Sequence, residues 1–219
     1  MRSYRIPHIT SALLCSAALA LSASPPARAD IVTADPSLPP ASGEYRTAVD
    51  VHASYGGGAV VITDISHFGF TNVSRIPLGA DELEQFDSVL QGVVTVPVST
   101  PILLQGPVAT GVLGKVGNVT GTFTTELLSM NLSTGAVLIR ESPTLASLGQ
   151  TTIEDIGGGL FRISSFFDVF TELSLDGGQN FIPSDGATRV TLVPEPGTLV
   201  LAGFGAALLA ARRRAGRAA

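Results

Sequence analysis

Leu160-Phe161-Arg162-Ile163-Ser164-Ser165-Phe166-Phe167-Asp168-Val169-Phe170-Thr171-Glu172-Leu173-Ser174-Leu175 is the stretch on which the reading of the fold turns. Phe161, Ile163, Ser165, Phe167 and Val169 recur at a period of two on one face. Arg162, Ser164, Phe166, Asp168, Phe170 and Glu172 fall on the other. That period belongs to a β-strand with one side turned to a core. Gly157-Gly158-Gly159 precedes it and Asp176-Gly177-Gly178 follows it. Both are turn sequences, because glycine tolerates the left-handed backbone of tight hairpins.

The same grammar extends outward. Residues 187–193 form the last strand. Upstream, Tyr45, Thr47, Val49, Val51 and Ala53 alternate with Arg46, Ala48, Asp50 and His52, and Gly56-Gly57-Gly58 turns the chain. Residues 59–65 are a β-branched run that continues to Phe70. In residues 81–91, Leu83, Phe86 and Leu90 fit a helix face, whereas Phe86, Ser88 and Leu90 fit a strand leading into Val93-Val94-Thr95-Val96; the strand is the expectation. Pro97, Pro101 and Pro107 should confine their surroundings to edges or connections. Residues 108–112 and 119–130 resume strand patterning, with Gly111, Gly114, Gly117 and Gly121 as bends or bulges. Residues 136–140 give a short strand and 141–149 a loop. Regular strands punctuated by Gly and Pro predict an all-β domain over residues 44–193, either a single antiparallel β-sandwich or a flattened barrel. Residues 30–43, with Pro36, Pro39, Pro40 and Gly43, are expected as a flexible leader.

Both ends of the chain differ in character. Arg2 and Arg5 precede an apolar stretch over residues 11–24, then Pro25-Pro26 and Ala27-Arg28-Ala29. This is the pattern of a secretory signal peptide over residues 1–29, with Ala27 and Ala29 forming the cleavage site. The only cysteine, Cys15, lies inside it. Leu14 is too bulky for the small residue that precedes a lipidated cysteine. The exported part therefore has no disulfide and depends on its core. Of the 13 Lys and Arg, seven lie in the two terminal segments; of the 18 acids, only Glu195 does. The region between carries six bases and seventeen acids, a net charge of −11 against −5 for the whole chain. Such a surface argues against nucleic acid and anionic membranes as partners and suits solubility in a hydrated matrix.

Residues 194–219 open with Pro194-Glu195-Pro196, two prolines that keep the backbone extended. Residues 197–211 are uncharged, and include Gly197, Leu199, Leu201, Phe204, Leu208, Leu209 and Ala211; Arg212, Arg213, Arg214 and Arg217 follow. As a helix the uncharged run would extend roughly 22 Å at about 1.5 Å per residue, short of a hydrocarbon core of roughly 30 Å. It is a marginal transmembrane helix helped by snorkelling arginines, whose cluster stays in the cytoplasm.

The order Pro-Glu-Pro, short apolar run, basic end resembles the PEP-CTERM sorting signal of Gram-negative bacteria, also known as the ice-binding protein C-terminal domain. The resemblance implies an exosortase, an integral membrane enzyme, that recognises Pro194, Glu195 and Pro196 and removes the tail. It implies export through the translocon, a transient stay in the inner membrane, and delivery to the cell surface or extracellular matrix, where exopolysaccharide is a potential partner. An extended, exposed strand ahead of the helix would suit capture by such an enzyme. A plain C-terminal anchor is the bland alternative. A sortase signal needs Leu-Pro-x-Thr-Gly, and a GPI-type signal ends in its apolar tail rather than in arginines. Residues 59–193 are similar to a recurrent group of PEP-CTERM ectodomains, a likeness that carries localisation rather than an activity.

Candidate chemistry in the domain is sparse. Ser174-x-Asp176-x-Gly178-x-Asn180-Phe181 resembles an Asp-box, and equally fits a hairpin whose Ser174 and Asp176 bond the turn backbone. Asp155, Asp176, Asp185 and Glu154 lie near glycines, where calcium is the one cofactor they would suit; solvated turn carboxylates are the simpler reading. His52 and His67 are too few for a zinc site, so no metal and no catalytic residue is assigned. There is no Gly-x-Ser-x-Gly elbow, and residues 111–116 lack the spacing of a phosphate loop. The expectation is a non-enzymatic structural or adhesive ectodomain. The alternative is a carbohydrate-binding or carbohydrate-active protein using carboxylates such as Glu154 and Glu172, against which the absence of tryptophan counts.

Overall fold

The computed structural model describes residues 30–195. Its strands are β1 (Ile31–Thr33), β2 (Gly43–Arg46), β3 (Ala53–Tyr55), β4 (Val60–Leu78), β5 (Asp81–Val96), β6 (Val98–Val112) and β7 (Gly121–Thr134). They continue with β8 (Val137–Glu141), β9 (Ser147–Gly157), β10 (Leu160–Val169), β11 (Thr171–Ser174), β12 (Ile182–Pro183) and β13 (Thr188–Pro194). All pairings are antiparallel, and the sheet closes into an eight-stranded barrel. Of the two all-β architectures expected, the barrel is the one formed. The helices expected within residues 1–29 and at 197–211 lie outside the described residues. Within the described residues, no helix is long and apolar enough to cross a membrane.

The barrel is an up-and-down meander in which chain neighbours are sheet neighbours. Four staves are the single strands β4, β5, β6 and β7. The other four are interrupted: β2 with β3, β8 with β9, β10 with β11, and β12 with β13. The seam closes where the last stave meets the first. Thr191, Leu192, Val193 and Pro194 pair with Arg46, Tyr45, Glu44 and Gly43, and an isolated bridge joins Tyr55 to Ser184 near the other end. The turns at Gly79, at residues 113–120 and at Gly158 share the end where Pro194 leaves the seam. The turns at Gly57, Pro97, Gly135 and residues 175–181 share the far end.

The long strand β4 departs from strict alternation. Asp64, Gly69 and Asn72 take positive φ (53°, 66° and 52°), and the β4–β5 register slips at each. Each bulge adds a residue. Inward positions therefore run Ile62, Ile65, His67, Phe70, Val73, with spacings of three where strict alternation would give two. The bulges coil a 19-residue strand around the barrel.

Two of the three prolines expected at edges or connections, Pro101 and Pro107, sit inside β6 without violating strand chemistry. Pro101 pairs with Val93 of β5 where β6 overhangs β7. Pro107 falls between the Gln105–Ser133 and Val108–Met130 pairs, beside Gly106, whose missing side chain admits the Asn131 carbonyl. In both places β7 offers no ladder partner for the missing N–H.

The interior is filled by the inward faces. Ile62, Leu104, Leu132, Ile153, Ile163 and Leu173 are fully buried, each contributing about 1.5–3 kcal/mol by removal from water. An edge-to-face cluster of Tyr45, His67, Phe70, Phe86 and Phe167 packs beside them. The outward positions of the same strands carry Gln85, Asp87, Gln91, Thr152, Glu154 and Arg162.

Residues 30–43 correct one expectation. They are packed against the barrel: β1 pairs with β10, Ile31 and Leu38 are buried, and Arg75 Nε donates to the Leu38 carbonyl at 2.8 Å. Apolar Ile31 and Leu38 outweigh the prolines, which merely set the path of the segment. The expected loop at 141–149 is also shorter, since β8 reaches Glu141 and β9 starts at Ser147.

Candidate functional sites at the sorting junction and in the barrel

The sorting segment begins inside the barrel. Pro194 is the last residue of β13, paired with Gly43, and the Glu195 N–H donates to the Ser42 carbonyl at 3.1 Å. Gly43 packs closely there: a Cβ would press on Ile31 and Leu192 side-chain carbons at 2.5 and 2.8 Å. One residue inward, Glu44 is buried beside Val193; its Oε2 accepts from Ser66 Oγ at 2.6 Å, and Arg46 Nη1 lies 3.3 Å from Oε1. The segment is extended, as expected, but it is paired rather than free. Proline suits this position because the N–H that bonds across to the β2 side belongs to the next residue, Glu195. Pro196, residues 197–211 with Gly197, Leu199, Leu201, Phe204, Leu208, Leu209 and Ala211, the arginines Arg212, Arg213, Arg214 and Arg217, and the cleavage residues Ala27 and Ala29 all lie outside the described residues.

The lumen is the second candidate. It contains an apolar cavity of about 70 Å³, well short of the roughly 300–1,000 Å³ of ordinary ligand pockets. Polar groups that face inward are mostly paired with one another. Tyr55 Oη and Thr171 Oγ1 are 2.7 Å apart, and burial pushes the phenol up to about 12. Tyr45 Oη donates to Ser165 Oγ at 3.1 Å, which meets Thr151 Oγ1 at 2.7 Å. His67 Nε2 lies 2.6 Å from Ser88 Oγ, and desolvation lowers the imidazole to about 4, so it is held neutral. Glu84 is buried; its Oε2 accepts from Thr110 Oγ1 at 3.0 Å, while Oε1 and the nearby Thr125 Oγ1 have no protein partner. Burial raises the Glu84 carboxyl to about 7. Sequence reasoning missed Glu84 because it placed this residue in no pattern; its spacing of two from Phe86 is the signal that puts it inside.

The turn carboxylates have other occupations. Asp176 Oδ1 accepts from the N–H groups of Gln179 (3.0 Å) and Asn180 (2.9 Å) and from Ser174 Oγ (2.7 Å), and these bonds lower it to about 2. The Asp-box-like stretch is thus a self-bonded hairpin, and Phe181 lies under the Arg140 guanidinium at 3.7 Å. Asp185 accepts from Ser54 Oγ (2.6 Å), Gly57 N (2.8 Å) and Gly58 N (3.0 Å), a nest made by successive left-handed glycines. Asp155 accepts from Gly157 N at 2.8 Å. Among the described residues, no three His, Cys, Asp or Glu side chains gather in metal-holding geometry.

Glu154 and Glu172 do not form a carboxylate pair. Glu154 is level with Arg162 on β10, and Glu172 lies ten residues farther along the same stave, roughly 30 Å at about 3.3 Å per residue. Glycosidic acid–base pairs stand at about 5–10 Å. Each glutamate is instead engaged by an arginine, Arg162 at 3.3 Å and Arg140 Nε at 2.8 Å.

Fold and junction together define a class: an antiparallel up-and-down barrel whose closing strand runs straight into a C-terminal sorting signal. The family model for the PEP-CTERM protein-sorting motif matches residues 192–214, so this chain carries that motif, which indicates export and sorting by an exosortase. The match starts within β13, two residues before Pro194. No curated protein and no solved structure matches the chain significantly.

Proposed function

We propose that the barrel is a non-enzymatic structural or adhesive element of the cell surface or extracellular matrix. It crosses the inner membrane through the secretory translocon, is tethered briefly by residues 197–211, and is freed by the exosortase into a matrix of exopolysaccharide. The observation that carries this reading is the fusion of the motif to the barrel seam through Pro194 and Gly43. A closed, acidic barrel with a filled lumen needs no cofactor to keep its shape, and it presents a wettable, edge-poor surface suited to a crowded polysaccharide layer. Deleting residues 194–219 tests the reading. Loss of surface retention with the barrel still folded is the expected result; unchanged retention would refute it.

A further inference from the structure

The exit end of the barrel is lined with exposed aliphatic side chains. Leu78 at the β4–β5 turn is 57% exposed, and Leu113, Val116 and Val119 in the following loop are 46%, 36% and 53% exposed. Ile156 and Leu160 flank the β9–β10 turn at 39% and 41%. These tips form a joined surface in part, since the Val116 N–H donates to the Ala80 carbonyl at 3.0 Å. The nearby carboxylates of Asp81 and Asp155 are occupied by the Gly114 and Gly157 N–H groups.

These tips also reach past the point where the chain leaves. Tyr45 of β2 is level with His67 of β4; from there β2 extends only to Gly43, whereas β4 continues to Leu78. The uncharged run of the tail starts at Gly197, two residues beyond Glu195, a reach of about 7 Å in extended chain. A tail in the bilayer thus holds this end of the barrel against the lipid, with no linker to let it stand off.

We propose that this rim, tipped by Leu78, Val116 and Leu160, rests in the interfacial layer of the membrane that holds the tail. The proposal rests on the tethered state described above. Its energetics fit a temporary contact. A few aliphatic tips bind a bilayer weakly on their own, and the acidic barrel is repelled by anionic headgroups. The tether supplies a high effective concentration while it lasts. Cutting it removes that advantage, and the rim lets go.

The test uses the tail-bearing protein from cells that lack an exosortase, reconstituted in vesicles of phosphatidylethanolamine and phosphatidylglycerol. Single variants Leu78→Cys, Val116→Cys and Leu160→Cys carry an environment-sensitive fluorophore; Val98→Cys, in the far-end turn, is the control. The expected result is a blue-shifted emission, quenching by lipid-borne nitroxide and protection from aqueous iodide at the three rim sites, with none of these at Val98. Rim labels as open to iodide as the control, on protein that floats with the vesicles, would overturn the rim contact and leave the tether standing. Protein that fails to float would overturn both.

Discussion

Pro194 pairs with Gly43 across the seam that closes the barrel, so the first proline of Pro194-Glu195-Pro196 is also the last residue of the closing strand. Neighbouring bonds reinforce the arrangement: Glu195 N–H reaches Ser42, and Leu192, two residues back, is buried in the core. An enzyme that grips the motif in an extended, unpaired form must first peel this end of β13 from β2.

That requirement predicts an effect of locking the seam. Arg46 and Thr191 are direct partners on β2 and β13, and cross-strand partners lie within disulfide reach. The double variant Arg46→Cys with Thr191→Cys, oxidised after export, should lose its tail more slowly than the parent, with reductant restoring the rate. Pulse–chase electrophoresis in cells with an active exosortase reads this directly. Equal rates would place recognition wholly beyond Glu195.

Gly149, like Gly106, marks a close backbone crossing in the wall. A Cβ there would collide with the Phe166 carbonyl and crowd Phe167 Cδ1 and Thr125 Oγ1, both at 2.8 Å. Backbone on the neighbouring strand cannot yield as a flexible side chain would. Gly149→Ala should therefore cost about 1–3 kcal/mol, as overpacking does, and lower Tm by about 5 °C. Thermal unfolding by circular dichroism measures it.

Two buried titratable groups of the lumen, Glu84 and His67, oppose each other with pH. Glu84 is raised from 4.5 to about 7, so its stabilising contribution is full below 4.5 and is lost as pH rises through 7. His67 is lowered from 6.5 to about 4, so its contribution is full above 6.5 and is lost as pH falls through 4. Between 4.5 and 6.5 they partly cancel. Glu84→Gln should be more stable than the parent above pH 7, and that advantage should shrink steadily as pH falls from 7 to 4.5. Denaturant unfolding across that range tests the sign.

At the far end of the seam, Asp185 stitches β3 to the last stave through Ser54, Gly57 and Gly58. Its carboxylate is lowered, first by the Ser54 hydroxyl and then by the glycine N–H groups. Asp185→Ala should speed hydrogen exchange at Gly57 and Gly58 while leaving the exit-end seam at Leu192 protected. Uniform exchange across both ends would contradict a local stitch.

Much of this architecture was legible in the sequence wherever the period of two was unbroken. Residues 160–169 and 188–193 announced their strands, and Gly157-Gly158-Gly159 announced the turn before them. Barrel closure was not legible, because it depends on residues 43–46 meeting 191–194, a pairing that no local pattern encodes. The bulges at Asp64 and Asn72 were hidden for a related reason: neither is glycine, and only the three-residue spacing of Ile62, Ile65, Phe70 and Val73 betrays them. The sorting motif was legible through its resemblance to the PEP-CTERM signal, carried by the order of Pro194-Glu195-Pro196, uncharged run and arginines. Its attachment to the seam was not, because Pro194 looks the same in a linker as at a strand end.

The central claim, that a folded barrel is delivered by a tail which is then removed at its own closing strand, is tested most directly by the intact mass of the protein recovered from the surface of its producing cells. The account predicts a species that starts near Asp30 and lacks Arg212, Arg213 and Arg214. A single species with the arginines still attached, and no shorter form, would contradict it.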